Sequence, residues 1–265
     1  SVPVYPIVLD IFWDGKSYKD GVDMTTAQFY AKLKTTNAMP KTSQPTPTAF
    51  FNLYQKMLED GYQILSIHTS KEISGTVDSA MQAKAMIGED APIEIIDSRF
   101  SAMILKMLMV EAAEAIENGM NLQDTAAHVR AIREHCGIYF TVNTLEFLVK
   151  NGRLSGAQAV MGNLLQIRPI LSFENGKIVS IQKARTFKGA LKVLKRYLSE
   201  ALEGKEVKQL VATYCDNQDF VQEFLQQAIT EIGIPKPETC CCDPLSPVVG
   251  THTGPGSIGI AFITK

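Results

Sequence analysis

Residues 64–76 read ILSIHTSKEISGT. A short aliphatic run opens into a loop rich in serine and threonine, and the following residues, GTVDSAMQAKAMI (75–87), read as a helix. The strand, extended to YQILSI (62–67), is thus followed by a loop and a helix. The pattern repeats downstream. IEII (93–96) reads as a strand and SAMILKMLMVEAAEAIENG (101–119) as a long apolar helix; a helix over 122–135 then leads to the strand GIYFTV (137–142). Strands separated by helices of this length pair in parallel through right-handed crossovers. The first half therefore reads as an open, mainly parallel α/β sheet.

Towards the N-terminus, AFFNLYQKMLED (49–60) carries helical periodicity, with Thr48 as N-cap and Gly61 as the stop. TTAQFYAKLKTT (25–36) begins with Thr25 three residues before Gln28, the spacing of a capping box. VYPIVLDIFWDGKSYKDG (4–21) reads as a strand pair, or a strand with a bend, around a turn at Asp14–Gly15. After Gly152 the character changes. LSGAQAVMGNLLQI (154–167) reads as a helix capped by Ser155. PILSF and KIVSIQKA flank Asn175–Gly176, a strong hairpin signal that implies antiparallel pairing. Helices over 187–203 and 218–232 then alternate with the strands VKQLVATY, ETCCC and SIGIAFI, so the second sheet should be mixed. The chain is read as two α/β domains, 1–152 and 153–265. They are joined without a Pro- or Gly-rich linker and so share an interface.

With 265 residues, 45% of them apolar, the chain can build a real core. Its 26 basic and 28 acidic residues are interspersed, for a net charge of −2, which argues against nucleic acid as a partner. No apolar run approaches the roughly 20 residues that span a bilayer, and no integral membrane segment is expected. The default location is cytoplasmic. Cys240, Cys241 and Cys242 are consecutive, so a strand would send them to alternate faces, where they cannot gather on a metal. They read as reduced thiols, and neither a metal nor a cofactor is expected.

Three hydroxyl-rich loops stand out: TSQPTPT (42–48), HTSKEISGT (68–76) and GTHTGPGS (250–257). In open α/β sheets ligands sit beyond the carboxyl ends of strands, and a helix N-terminus there offers unpaired N–H groups and partial positive charge. With Ser74 as N-cap, its hydroxyl and the N–H groups of Gly75 and Thr76 surround a place for an anion. Thr42 and Ser43 would add donors, and His252 could donate a proton or a hydrogen bond near neutral pH. The sequence has no Gly-x-Ser-x-Gly elbow, no nucleotide triphosphate loop and no dinucleotide fingerprint, which leaves a carboxylate or a lone phosphate as the anion. An ordinary helix cap explains any one of these hydroxyls, but their recurrence at several loops weakens that explanation.

These loops, in this order, resemble the DegV family of bacterial fatty-acid-binding proteins. The resemblance runs through DGKSYKDGVD, PKTSQPTPTAF, the SGT of the second loop, IIDS, FLVKNGRLSG, LLQIRPIL and HTGPG. It implies a two-domain α/β protein that holds one long-chain fatty acid in an internal tunnel between sheet and helices near the domain interface. It further implies presentation of the carboxylate to a separate fatty acid kinase, which makes an acyl-phosphate for phospholipid synthesis. By position, Thr42 and Ser74 match the hydroxyls that hold the carboxylate, and His252 matches a histidine near the head group. Arg153 and Arg185 match basic positions of the head-group region or of kinase docking. Family members usually open with a further strand ending in an Asp-Ser pair, so residues ahead of Ser1 are expected.

Met103 and Met107, four apart on the apolar helix, are candidates for the tunnel wall, with Met109 on another face. The first expectation is a non-enzymatic lipid carrier serving a kinase. The alternatives are a small-molecule phosphotransferase or hydrolase with His252 as acid or base, and a carrier of another acidic lipid.

Overall fold

The computed structural model describes residues 2–36, 38–156 and 167–265. The helix expected over 154–167 therefore lies for the most part outside the described residues. Strand β1 (Asp10–Trp13) and β2 (Lys16–Lys19) form an antiparallel pair around Asp14–Gly15, the first of the two readings, and both turn residues have positive φ. β3 (Lys41–Ser43) adds antiparallel to the other side of β1, with Thr42 opposite Ile11. Between them lies α1 (Thr26–Thr35), whose N-terminus is closed by the Thr25–Gln28 capping box.

The helix α2 (Pro47–Glu59) starts two residues before the expected place. Thr46, not Thr48, is its N-cap, accepting from the N–H of Ala49, and Pro47 occupies the first turn. Proline suits that position because its missing N–H would have had no intrahelical acceptor.

Strands β4 (Ile64–His68) and β5 (Ile93–Asp97) pair in parallel, Ile64 opposite Ile93, with α3 (Thr76–Ile87) crossing between them. α2 and α3 cover this pair through Phe50, Tyr54, Ala80 and Ala83. The run of parallel pairing stops there. After β5 come two helices in succession, α4 (Met103–Glu117) and α5 (Leu122–Arg133), and they carry the chain to a different sheet. β6 (Cys136–Thr141), expected to continue the parallel arrangement, instead pairs antiparallel with two strands from the second half of the chain.

That second sheet is mixed and six-stranded. It contains β7 (Arg168–Glu174), β8 (Lys177–Ala184), β9 (Val207–Tyr214), β10 (Thr239–Pro244) and β11 (Ile258–Thr264), in the order β10-β9-β11-β6-β7-β8. β7 and β8 meet at the Asn175–Gly176 turn, both residues at positive φ. One face of the sheet packs against α4 and α5 through Ile104, Leu108, Ile138 and Ala261. The other packs against α7 (Phe187–Leu202) and α8 (Gln218–Ile232). The short α6 (Glu146–Lys150) follows β6, and α9 (Pro247–Thr253) precedes β11.

In β10, Cys241 packs against the first core and Cys242 against the second, the alternation expected of a strand. No group of metal-ligating side chains gathers among the described residues. Among those residues no helix is long and apolar enough to cross a membrane.

Candidate functional site

The first hydroxyl loop starts within β3, so Thr42 and Ser43 are held by the ladder to β1. The second leaves β4 and is anchored at Ser70. The Ser70 hydroxyl donates to the carbonyl of Gly176 at 2.8 Å, tying the loop to the β7–β8 turn. Gln44 then bridges the two loops, its amide nitrogen donating to the Gly75 carbonyl at 3.1 Å and to the Ser79 hydroxyl at 3.2 Å. The approach is close enough that a Cβ on Gly75 would stand 2.2 Å from the Gln44 side chain.

Ser74 does not cap α3. Gly75 takes the N-cap place with no side-chain bond, and the Ser74 hydroxyl instead shares a 2.9 Å hydrogen bond with that of Thr76. The N–H groups of the first turn of α3 lack intrahelical acceptors by geometry, as expected of any helix start.

The third segment is not wholly a loop. Gly250 to Thr253 form the C-terminal half of α9, and His252 projects from this helix. Ser246 caps α9, Pro247 occupies its first turn, and Asp20 accepts from the N–H of Val248 at 3.3 Å. Gly250 allows α9 to sit against α1, since a Cβ there would stand 2.4 Å from the Tyr30 hydroxyl. The segment after α6 joins the other pieces. Asn151 donates to the Thr251 carbonyl at 3.1 Å, and Arg153 Nε donates to the Ile73 carbonyl at 3.0 Å.

This assembly brings Thr42 and His252, 210 positions apart, into a 2.8 Å hydrogen bond between Oγ1 and Nε2. The other ring nitrogen, Nδ1, is buried and has no hydrogen-bond partner among the described residues. Burial, with the positive charge of Arg153 as a smaller contribution, pushes the His252 imidazole down to about 4. The ring is therefore a neutral base at neutral pH, contrary to the expectation of a titrating proton donor there. It acts through one N–H and one lone pair.

These groups line one corner of a cavity of about 800 Å³. Thr42, Ser43, Gln44, Ser74, Arg153 and His252 contribute to the polar part, while Met103, Ile138, Phe140, Leu148, Phe173 and Ile178 make an apolar wall. The floor is the face of the six-stranded sheet that also carries Thr213 and Gly259. Gly75 and Thr76 do not line the cavity, and Thr76 is buried. Met103 faces the cavity, whereas Met107 is packed in the core beneath it and Met109 is exposed. Arg185 is exposed just before α7 and contributes nothing to the lining.

Sequence reasoning passed over Gln44, Asp20, Thr213 and Gly259, all part of the lining. Thr213 was the one with a signal: a hydroxyl in the otherwise apolar strand end LVATY.

Comparison with known proteins decides the kinship. The family model described as "Uncharacterised protein, DegV family" matches residues 3–265. The chain belongs to the DegV family. A DegV domain-containing protein of Listeria innocua is 35% identical over 260 residues, covering 98% of this chain and 90% of that one. Among solved structures, a DegV family protein from Thermus thermophilus described for its fatty acid binding superposes with a TM-score of 0.88 at 30% identity, covering 97% of this chain and 91% of that one. DegV from Bacillus subtilis, described as a fatty acid binding protein, gives 0.85 at 30% identity, with coverage of 98% and 91%. This α/β architecture, with its parallel pair and its mixed six-stranded sheet, is thus the DegV fold. The stretch FLVKNGRLSG, one of those that carried the DegV resemblance, supplies the Asn151 and Arg153 contacts that hold the second loop and α9 together.

Proposed function

We propose that this protein binds one long-chain fatty acid, with the carboxylate at the Thr42–Ser74–His252 corner and the acyl chain along the apolar wall. The observation that carries this reading is one cavity that joins a hydroxyl-rich corner, with a buried imidazole nitrogen that has no partner among the described residues, to a wall of aliphatic and aromatic side chains. Its volume suits a ligand of that size, since small-molecule pockets run from about 300 to 1,000 Å³. The fatty-acid binding described for the Thermus and Bacillus relatives supports it further. Arg153 supplies positive charge, and the hydroxyls and the imidazole N–H supply donors, so a carboxylate can exchange its hydration for fixed partners. Most of the affinity comes from the chain, at about 0.8 kcal/mol per buried CH₂ before the cost of association.

The finer part of the proposal is that the bound carboxylate is presented to a separate fatty acid kinase. The family resemblance supports it, together with the partial exposure of Thr42, Ser43, Ser74 and Arg153, which leaves the corner open to a second protein. Transfer needs the attacking oxygen held in a narrow geometry, whereas binding does not. Native mass spectrometry of the purified protein with organic extraction tests the first part. A co-purifying long-chain acid is expected, and a protein that carries none and takes up no added palmitate would overturn it. Acyl-phosphate formation with a fatty acid kinase and ATP tests the second. His252→Ala should lower transfer much more than palmitate affinity, and equal losses would make His252 a plain binding residue.

A further inference from the structure

We propose that the floor of the cavity carries a second polar locus, at Thr213, which recognises a hydroxyl on the acyl chain. The inference rests on the fatty-acid reading above and adds a ligand class to it. β9 alternates its side chains between two cores, and on the face towards α4 it presents Gln209, Val211 and Thr213. The first two are accounted for: Gln209 donates to Glu111 at 2.6 Å and Val211 belongs to the core. Thr213 is only 1% exposed and lines the cavity, yet its hydroxyl has no hydrogen-bond partner among the described residues. Two other buried hydroxyls, of Thr141 and Ser180, also lack partners there, but neither lines the cavity. Valine would fill the same space with no donor or acceptor left over, so the hydroxyl is a chemical choice and not a packing one.

The surroundings of Thr213 fit a chain that carries an oxygen. Gly259 lies beside it on β11, and a Cβ there would stand 3.0 Å from both the Thr213 methyl and the Phe140 Cβ. Glycine here lets the Thr213 methyl and the Phe140 side chain close together over β11, and all three residues border the cavity. On the other side, Asp243 is the register partner of Thr213 on β10 and also lines the cavity. Its carboxylate is held by Lys106 of α4. A chain hydroxyl above this point can donate to the Asp243 carboxylate and accept from Thr213 Oγ1, satisfying all three groups. An unsubstituted methylene chain leaves the Thr213 hydroxyl buried and unmet.

The test is competitive binding of stearate and a panel of hydroxystearates differing in hydroxyl position, with delipidated parent protein, Thr213→Val and Thr213→Ser. For at least one hydroxyl position, the ratio of hydroxystearate to stearate affinity should be about five- to tenfold higher in the parent than in Thr213→Val, the worth of one good hydrogen bond. Thr213→Ser should keep the ratio of the parent, which guards against a general effect of repacking the floor. The same ratio in parent and Thr213→Val at every hydroxyl position would overturn this inference while leaving the fatty-acid reading intact. Failure of stearate itself to bind the parent would overturn both.

Discussion

A buried histidine and a half-buried one sit in different regions of the molecule, and the contrast between them bears on the proposed site more than either does alone. His68, at the end of β4, closes a relay in which the hydroxyls of Tyr54 and Ser66 are 2.6 Å apart and Ser66 Oγ is 2.7 Å from His68 Nε2, with the ring edge-on to Phe50. His252 makes one such bond, to Thr42, and leaves its second nitrogen buried without a partner among the described residues. Burial holds both imidazoles down at about 4. A depressed imidazole is thus a mark of burial in both places. The unmet nitrogen beside a cavity, seen among the described residues at His252 and not at His68, is the feature on which the proposed site rests.

The largest expected effect comes from breaking the closed relay. His68→Ala should cost about 3 kcal/mol of stability, combining a core cavity with two hydroxyls left poorly paired. Urea denaturation reads the loss, and palmitate affinity of the folded protein should not follow it. A parallel fall in affinity would mean that the two regions are coupled and that the comparison fails.

Acid should weaken both regions in the protein without ligand. Each imidazole has a folded value of about 4, below its ordinary 6.5, so the unfolded chain takes up protons first. The stability due to neutral burial is complete above pH 6.5 and is lost as pH falls towards 4. Between pH 6.5 and 5 this amounts to roughly 2 kcal/mol apiece. A carboxylate beside His252 raises its proton affinity, so palmitate should shrink that share of the acid loss and leave the His68 share in place. Denaturation curves at several pH values, with and without palmitate, for the parent, His68→Asn and His252→Asn separate the shares. An acid response in His68→Asn identical to that of the parent would contradict the assignment.

At the open region, Thr42→Val and Ser74→Ala should each weaken palmitate binding about ten- to a hundredfold, since each removes a hydrogen bond to a charged group. The melting temperature of the ligand-free protein should barely move. Parent-like affinity in both variants would place the carboxylate elsewhere. The smallest effect is expected from Gly75→Ala. Its φ of −77° suits alanine, and the group in the way is the end of the flexible Gln44 side chain. Displacing Gln44 breaks two bridges between the loops, so affinity should fall a few-fold at a stability cost below about 1 kcal/mol. A Gly75→Ala variant that binds palmitate as tightly as the parent would show that the bridge positions nothing.

The capping box at Thr25, the turn at Asn175–Gly176 and the strand–helix alternation around residue 64 were all legible because each depends on residues within a few positions of one another. The cap of α2 was misplaced by two residues because TPT offers two threonines, and only the proline between them breaks the tie. β6 was misassigned because its sequence describes a strand with two covered faces and says nothing about which strands pair along its edges. Two helices between β5 and β6, in place of one, were the hint. Hydroxyl recurrence and family resemblance singled out Thr42, Ser74 and His252, which the fold brings to one cavity, but Ser74 was given a capping role that Gly75 takes. Gln44 was passed over because a surface glutamine in a loop has no local signature.

The sequence alone determined the kinds and order of most elements, though not β3, α6 or α9, together with the hydroxyl character of the loops and the kinship of the chain, since propensity, capping and motif spacing are properties of short stretches. The tertiary structure decided which strands share a sheet, that Met103 faces the cavity while Met107 does not, and that His252 is neutral with one nitrogen unmet among the described residues. Those outcomes depend on desolvation and on contacts between residues as far apart as Thr42 and His252, whose free energies exist only once the chain has closed around them.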